Sequence, residues 1–367
     1  MRNKKVALCN LQIPLEIQIE ILSRLPVKSL LRFKCLEKSW CNLIKDSAFI
    51  AMHTNRFGKN TGEFLLCMSK TKYGPKYYKC YYKGNNVLLI NGTERITPMS
   101  KDQQIFGSFN GLVCLHGDAP EQVNICFWNP STQKIKKLPS YPRPYKYPSP
   151  LYGFGFCPKS NDYKVVIVHG WYNLLKLGVY TLSTDSWKSI IIEKESWRPC
   201  PYPFQQPYMF NGASHWVGRG SSSSDAAALI GSFQFEEEVF QTIKLPAPMS
   251  YTRRISVSEY RNQLSLIVSQ YVCSSTIDFW VMKEYGSVES WVKLFSIEFP
   301  GYRSSSRLIT LDSKDELVFL DDDGTRIFCY NTKTKQVLEP HQTLYPLKQA
   351  ITCQETLVSL PGEYSVF

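Results

Sequence analysis

Ile13-Pro-Leu-Glu-Ile-Gln-Ile-Glu-Ile-Leu-Ser-Arg-Leu-Pro26-Val-Lys-Ser-Leu-Leu-Arg-Phe33 opens a longer stretch, Leu11–His53, that organises the rest of the chain. It reads as three short helices separated by prolines and small polar residues. Pro14 suits the first turn of a helix, where its missing N–H costs nothing, and Ile17, Ile21, Leu22 and Leu25 then fall on one side. Pro26 ends that helix and opens the next, because the residue before a proline is driven out of the helical region. Val27, Leu30, Leu31 and Phe33 form a second apolar face, and Trp40, Leu43 and Ile44 a third. A unit of about 40 residues hides too little of its own surface to bury so many large side chains. Part of the apolar face therefore needs a cover, from the rest of the chain or from a partner.

The chain around this stretch has 367 residues, enough for one small and one large domain. With 43% hydrophobic and 20% charged residues its composition is globular, and 14% aromatics with 22 prolines suit many short strands and turns. No apolar run approaches the roughly 20 residues that span a bilayer, and no apolar segment of a signal peptide follows Met1-Arg-Asn-Lys-Lys-Val. The expectation is a cytoplasmic and/or nuclear protein with no membrane partner, whose 12 cysteines are free thiols. Five scattered histidines and no C-x-x-C pair give no metal site and no cofactor. The net charge of +12 is uneven, with eleven Lys/Arg against four Asp/Glu in residues 1–60. A basic patch of this kind fits nucleic acid or an acidic protein partner.

Beyond Phe57 the period changes to short strands. Glu63-Phe-Leu-Leu-Cys-Met and Tyr77-Tyr-Lys-Cys-Tyr-Tyr read as a hairpin. A repeat of strand, polar turn and strand follows, with strand exits at Asn129, Ser183, Glu236, Lys283 and Asn331, spaced 54, 53, 47 and 48 residues apart. A period near 50 built from hairpins is that of a kelch-type β-propeller with about four strands per blade. The Phe57–Tyr82 hairpin then belongs to a sixth, incomplete blade, and the terminal Glu355-Thr-Leu-Val-Ser-Leu is placed to supply its missing strand. Closing the ring removes exposed sheet edges. The expected fold is mainly β: three N-terminal helices over 1–56, then a kelch-like propeller of about six blades over 57–367.

The run Ile21-Leu-Ser-Arg-Leu-Pro-Val-Lys-Ser-Leu-Leu-Arg-Phe-Lys-Cys, followed by Lys38-Ser-Trp, resembles an F-box of the plant type that continues into an F-box-associated domain. Asn110-Gly-Leu-Val-Cys, Trp128-Asn-Pro-Ser-Thr, Gly153-Phe-Gly-Phe, Asn161-Asp-Tyr-Lys-Val-Val and Tyr180-Thr-Leu-Ser-Thr-Asp-Ser-Trp-Lys resemble recurring segments of that second domain. The group includes S-locus F-box proteins and receptors linked to defence and stress, and Phe279–Trp291 resembles a segment those subgroups share. The resemblance implies a substrate-recognition subunit of an SCF-type cullin–RING ubiquitin ligase. The helices would bind a Skp-type adaptor, and through it cullin and RING subunits. The propeller would bind the protein to be ubiquitinated, whose identity is unknown. The adaptor-docking positions implied are Pro14, Leu22, Leu25, Pro26, Val27, Leu30, Leu31 and Phe33, with Leu25 and Pro26 at the centre. Because Skp-type adaptors are acidic, the basic N-terminus fits such a partner better than nucleic acid.

Catalytic motifs are absent from the sequence: no G-x-S-x-G, P-loop or Rossmann fingerprint stands between a strand and a helix. Asp321-Asp-Asp-Gly-Thr reads as a hairpin turn rather than a calcium loop, and His215 as a structural histidine on a strand. No catalytic residue is assigned, as expected of a receptor whose chemistry lies in other subunits. The proline- and aromatic-rich connections Ser140–Pro150 and Glu195–Pro207 offer Tyr141, Tyr145, Tyr147, Trp197, Arg198 and Tyr202 as candidate substrate-binding residues. The sequence leaves two other functions open: a non-ligase RNA-binding or scaffold propeller, and a carbohydrate-binding or oxidase-like one.

Overall fold

The computed structural model describes residues 13–58, 63–71, 74–83, 86–94, 103–118, 121–142, 150–171, 174–193, 197–199, 207–220, 228–246, 249, 254–269, 276–299, 307–312, 316–321, 323–338, 341–343 and 346–365. The chain opens with helices α1 (Leu15–Leu22), α2 (Val27–Phe33), α3 (Lys38–Lys45) and α4 (Ser47–His53). Pro14 and Pro26 stand just outside α1 and α2, with extended ψ of 145° and 147°, so each proline sets the entry to a helix rather than filling its first turn. The fourth helix extends the expected three. Asp46, itself extended, accepts hydrogen bonds from the N–H groups of Ala48 and Phe49, which ends α3 and starts α4 in one step.

Six antiparallel sheets follow, arranged as the blades of a propeller. The first is built from Glu63–Thr71, Gly74–Lys83 and Asn86–Glu94, the second from Gln104–Phe109, Leu112–Asp118, Gln122–Asn129 and Lys134–Lys137. Leu151–Cys157, Asp162–Trp171, Leu174–Thr181 and Ser186–Glu193 make the third. Tyr208–Phe210, Ala213–Gly220, Ala228–Gln234 and Val239–Lys244 make the fourth, and Arg254–Tyr260, Gln263–Ser269, Thr276–Met282 and Trp291–Glu298 the fifth. Arg307–Asp312, Glu316–Leu320, Arg326–Asn331 and Gln336–Val337 complete the sixth.

The ring closes where the sequence placed it, but one strand earlier. Leu347–Gln354 pairs with Glu63–Thr71 and supplies the inner strand of the first blade. Its Gln349 amide both accepts from the Ile105 N–H and donates to the Ile105 carbonyl, each at 2.8 Å, and so ties this strand to the inner strand of the second blade. Glu355–Leu360, the segment expected to close the ring, is not a strand and runs elsewhere.

Several strands are buried on both faces, as in Gln263–Ser269 and Glu316–Leu320, and their apolar side chains meet between blades. Phe127, Phe154, Tyr163 and Tyr180 interlock the second blade with the third, and Phe279, Phe319 and Phe328 join the fifth to the sixth. Gly155 of the Gly-Phe-Gly-Phe motif has a packing purpose: a Cβ there would lie 2.4 Å from the Phe235 ring of the next blade.

The two ends of the propeller differ. At one end, turns join the first strand of a blade to the second and the third to the fourth. Among the described residues, the nine non-glycine residues with positive φ all sit in these turns, at Asn110, Gln133, Asn161, Asp185, Asn211, Glu238, Arg261, Asn262 and Lys335. Two such turns also clamp neighbouring blades, Asp185 by an ion pair to Lys136 and Glu238 by ion pairs to Lys164 and Lys188. The opposite end carries the connections between blades and between second and third strands.

Candidate protein-interaction surfaces

Two surfaces qualify as sites: the outer side of the helical unit and the far end of the propeller. In the helical unit, Leu22, Val27, Leu30, Ile44 and Phe49 converge on one core. That core is completed by Leu357, which arrives from the end of the chain. Among the described residues, nothing covers the other side of α1 in this way. Ile17 and Ile21, one turn apart on α1, are 50% and 49% exposed, with Ile13 just before the helix 52% exposed, Leu15 beside them and Leu36 exposed on the α2–α3 connection. The Gln18 amide holds the row's scaffold in place by donating to the Ile13 carbonyl and accepting from the Trp40 indole N–H at 2.8 Å. A polar edge borders the row: Arg24 and Arg56 both pair with Glu20 and hold its carboxyl below the usual range.

The residues implied as docking positions divide into three groups. Leu22, Val27 and Leu30 are buried in the unit's own core. The reason is the added cover: Leu357 and α4 seal the side on which they lie. Leu25, Leu31 and Phe33 are half-buried at the margin, and Pro14 and Pro26 are exposed. The sequence reading placed Ile17 and Ile21 on the same side as Leu22. It did not separate the outward row from the inward one, although the four-residue step from Ile17 to Ile21 carried that signal.

On the propeller, two of the loop aromatics proposed for substrate binding turn inward. Tyr141 is 6% exposed, its ring lying over Gly178, where a Cβ would come within 2.5 Å, and against Trp187. Trp197 is 1% exposed, covering Gly218 and Gly231 and packing on Phe240. Both rings are plugs between blades, and the glycines in mid-strand that form their sockets were the legible sign. Arg198, next to Trp197, remains half-buried at the end bearing the inter-blade connections. Tyr145, Tyr147 and Tyr202 lie outside the described residues.

The chemistry-bearing side chains have structural partners. His215 points its Nδ1–H at the Tyr208 carbonyl, which can only accept, and its Nε2 accepts from the Tyr285 hydroxyl at 2.9 Å. Burial pushes its pKa down to about 4, so it is neutral and bridges the fourth and fifth blades. Asp321 accepts from the N–H groups of Thr325 and Arg326 and the Thr325 hydroxyl, closing a turn. Among the described residues no three His, Cys, Asp or Glu side chains converge as a metal site, and no helix is long and apolar enough to cross a membrane.

Comparison with known proteins agrees with this architecture. A family model described as "F-box associated beta propeller domain" matches residues 84–358, and one described as "F-box domain" matches residues 10–51. An F-box/kelch-repeat protein of Arabidopsis thaliana is 29% identical over 370 residues, covering 95% of this chain and 94% of that protein. The F-box protein CPR1 of the same plant is 26% identical over 357 residues, covering 89% of this chain and 83% of its own length. Among solved structures, a chain in the crystal structure of a nidogen/laminin complex aligns over 80% of this chain and 100% of its own, at 10% identity and a TM-score of 0.48.

Proposed function

We propose, for a chain that belongs to the family of F-box proteins with an F-box-associated β-propeller domain, that it is the substrate-recognition subunit of an SCF-type cullin–RING ubiquitin ligase. The observation that carries this reading is the row Ile13, Ile17 and Ile21: an apolar stripe left uncovered on a helical unit whose opposite side is sealed. A Skp-type adaptor takes this stripe together with Pro14, Leu25, Pro26, Leu31 and Phe33. Leu22, Val27 and Leu30 support it from beneath. The basic surface around the F-box complements an acidic adaptor and speeds the encounter.

The target is held at the propeller end that carries the inter-blade connections. The segment Glu355–Leu360, whose Leu357 enters the helical core, is bonded to Asn129 and Ser131 at the short-turn end, so the opposite end is the one left open to a second protein. Arg198 lies there, and loops on a rigid scaffold are where recognition commonly resides. The chain supplies no nucleophile in this scheme. Its contribution is proximity, holding a target lysine beside the thioester of a conjugating enzyme. Work of this kind takes place in the cytoplasm or nucleus.

Co-expression with a Skp-type adaptor tests the reading. Wild type should co-purify with the adaptor, and an Ile17→Asp/Ile21→Asp double variant should purify folded but alone. A wild-type chain that stays soluble and monomeric beside the adaptor would overturn it.

A further inference from the structure

The six residues after the ring-closing strand form an extended strap between the two domains. Their side chains alternate, as an extended chain requires. Glu355 and Leu357 point to the helices. The Glu355 carboxylate accepts the Val27 N–H at 3.1 Å, and Leu357 enters the core formed by Leu22, Val27, Leu30, Ile44 and Phe49. Thr356, Val358 and Leu360 point to the propeller. Thr356 is fully buried, and its N–H donates to the Ser131 hydroxyl. The Asn129 side chain donates to the carbonyls of Thr356 and Val358, and Leu360 lies in the core between the second and third blades.

Both ends of the strap are fixed. Leu347–Gln354 precedes it in the first blade. After it, Glu363 pairs with Lys134, and Tyr364–Ser365 adds to the outer edge of the second blade opposite Ile135 and Lys134. The path is also reserved for it. Gly111, at φ +75°, has the Gln354 carbonyl 2.4 Å from where a Cβ would stand, so any side chain there would displace the strap.

The Glu355 contact fills a specific vacancy in α2. A helix leaves its first N–H groups without intrahelical partners, and a side-chain acceptor at the N-cap ordinarily takes one of them. Pro26 occupies that position and has no acceptor to offer. Glu355, 328 residues beyond Val27, provides the acceptor and places a negative charge at the helix N-terminus, where it is favourable.

We infer that Glu355–Leu360 is a working part of the F-box, in which Glu355 and Leu357 are positioning residues for adaptor docking that touch neither the adaptor nor the target. Glu355 holds the Pro26–Val27 entry of α2, and with it Leu25 and Pro26 at the docking margin. Leu357 sets how closely α1 and α2 approach beneath the outward row. Because the same strap is bonded to the second blade, the helical unit meets the propeller in one orientation, and adaptor and target are held at a fixed angle. The inference rests on the adaptor reading for its functional part. Its structural part is independent of that reading.

The full-length chain serves for the test, as wild type, Leu357→Asp, Leu357→Met and Leu360→Asp. Leu357→Asp should weaken adaptor binding about ten-fold or more, since it places an unpaired charge in the helical core. Amide exchange across α1 and α2 should rise, with the unfolding midpoint of the propeller unchanged. Leu357→Met should restore both readouts, because it keeps volume and apolarity. Leu360→Asp should do the reverse, lowering the propeller midpoint with less effect on exchange in the helices. Adaptor affinity for Leu357→Asp within about two-fold of wild type, or helix exchange unmoved, would overturn the inference. If wild type itself binds no adaptor, the functional reading fails, and the exchange measurement still decides whether the strap belongs to the F-box.

Discussion

The two apolar sides of the F-box helices are alike in composition and opposite in fate. One side, Leu22, Val27 and Leu30, is closed by Leu357 of the same chain. The other, Ile13, Ile17 and Ile21, stays about half exposed. A 40-residue unit cannot seal both sides by itself, so one cover is permanent and intramolecular and the other is left for a partner. The difference predicts that mutations on the two sides have separable consequences. Sealed-side changes act on stability first and on binding through it. Bare-side changes act on binding alone.

The largest effect belongs to the sealed side. Leu30→Ala removes a fully buried side chain where α2, α4 and the strap meet, and should cost about 2–5 kcal/mol of local stability. Hydrogen exchange across α1–α4 would register it, with amides of the third to sixth blades unaffected. Equal loss across the propeller would mean that the two domains unfold as one unit, coupled by the strap.

On the bare side, Ile17→Ala combined with Ile21→Ala should leave stability within about 0.5 kcal/mol, as at other exposed positions. The same pair should reduce adaptor affinity by about 2 kcal/mol or more, the usual cost of truncating anchors at the centre of an interface. Titration calorimetry beside a denaturant melt separates the two quantities. A stability loss as large as that of Leu30→Ala would erase the distinction between the sides.

How much of this was legible in the sequence follows from where each cover comes from. The helices, the hairpin repeat near 50 residues and the six blades were readable because their signals are local: prolines at 14 and 26, strand–turn–strand units, and a first blade one strand short. The ring's closure was readable in kind and misplaced by one segment. Leu347–Gln354 has mixed character, and what holds it is Gln349 bonding to Ile105, a contact that leaves no period in the sequence. Leu357 in the helical core was illegible for the same reason, since nothing near position 357 or position 30 announces the other. Trp197 and Tyr141 were offered as substrate-binding candidates because proline-rich surroundings look like loop, and the structure shows both rings buried. Their sockets, Gly218 with Gly231 and Gly178, lie on other strands.

A smaller effect is expected at the join between the sides. Glu355→Ala removes the acceptor for the Val27 N–H and should cost about 1 kcal/mol, the range of a lost N-cap. Glu355→Gln keeps an acceptor oxygen and should recover most of that cost. Exchange at the Val27 amide reports it directly. If Glu355→Ala leaves that amide as protected as in wild type, another group caps α2, and the strap acts through Leu357 alone.

The smallest effect is a pH dependence of the sealed side. His53 is fully buried against Phe49 and donates from Nε2 to the Leu25 carbonyl at 2.9 Å. Burial lowers its pKa below the ordinary imidazole value, although the Leu25 bond and the nearby Glu355 carboxylate both oppose that shift. Unfolded, the same group titrates near 6.5. As pH falls past about 6.5 the unfolded helices therefore bind a proton that the folded helices resist, and stability declines until the folded group also protonates. The propeller's His169 and His215, both pushed down to about 4 by burial, titrate with the same sign, so the readout must be local. Helix-amide exchange at pH 7.5 and 5.5 in wild type and His53→Gln provides it, with the acid-induced increase expected to shrink in the variant. In Glu355→Ala the increase should instead steepen, because the carboxylate that favours the imidazolium is gone. A slope unchanged by Glu355→Ala would place the strap's charge too far from His53 to matter, and would leave Leu357 as the strap's whole contribution to the sealed side.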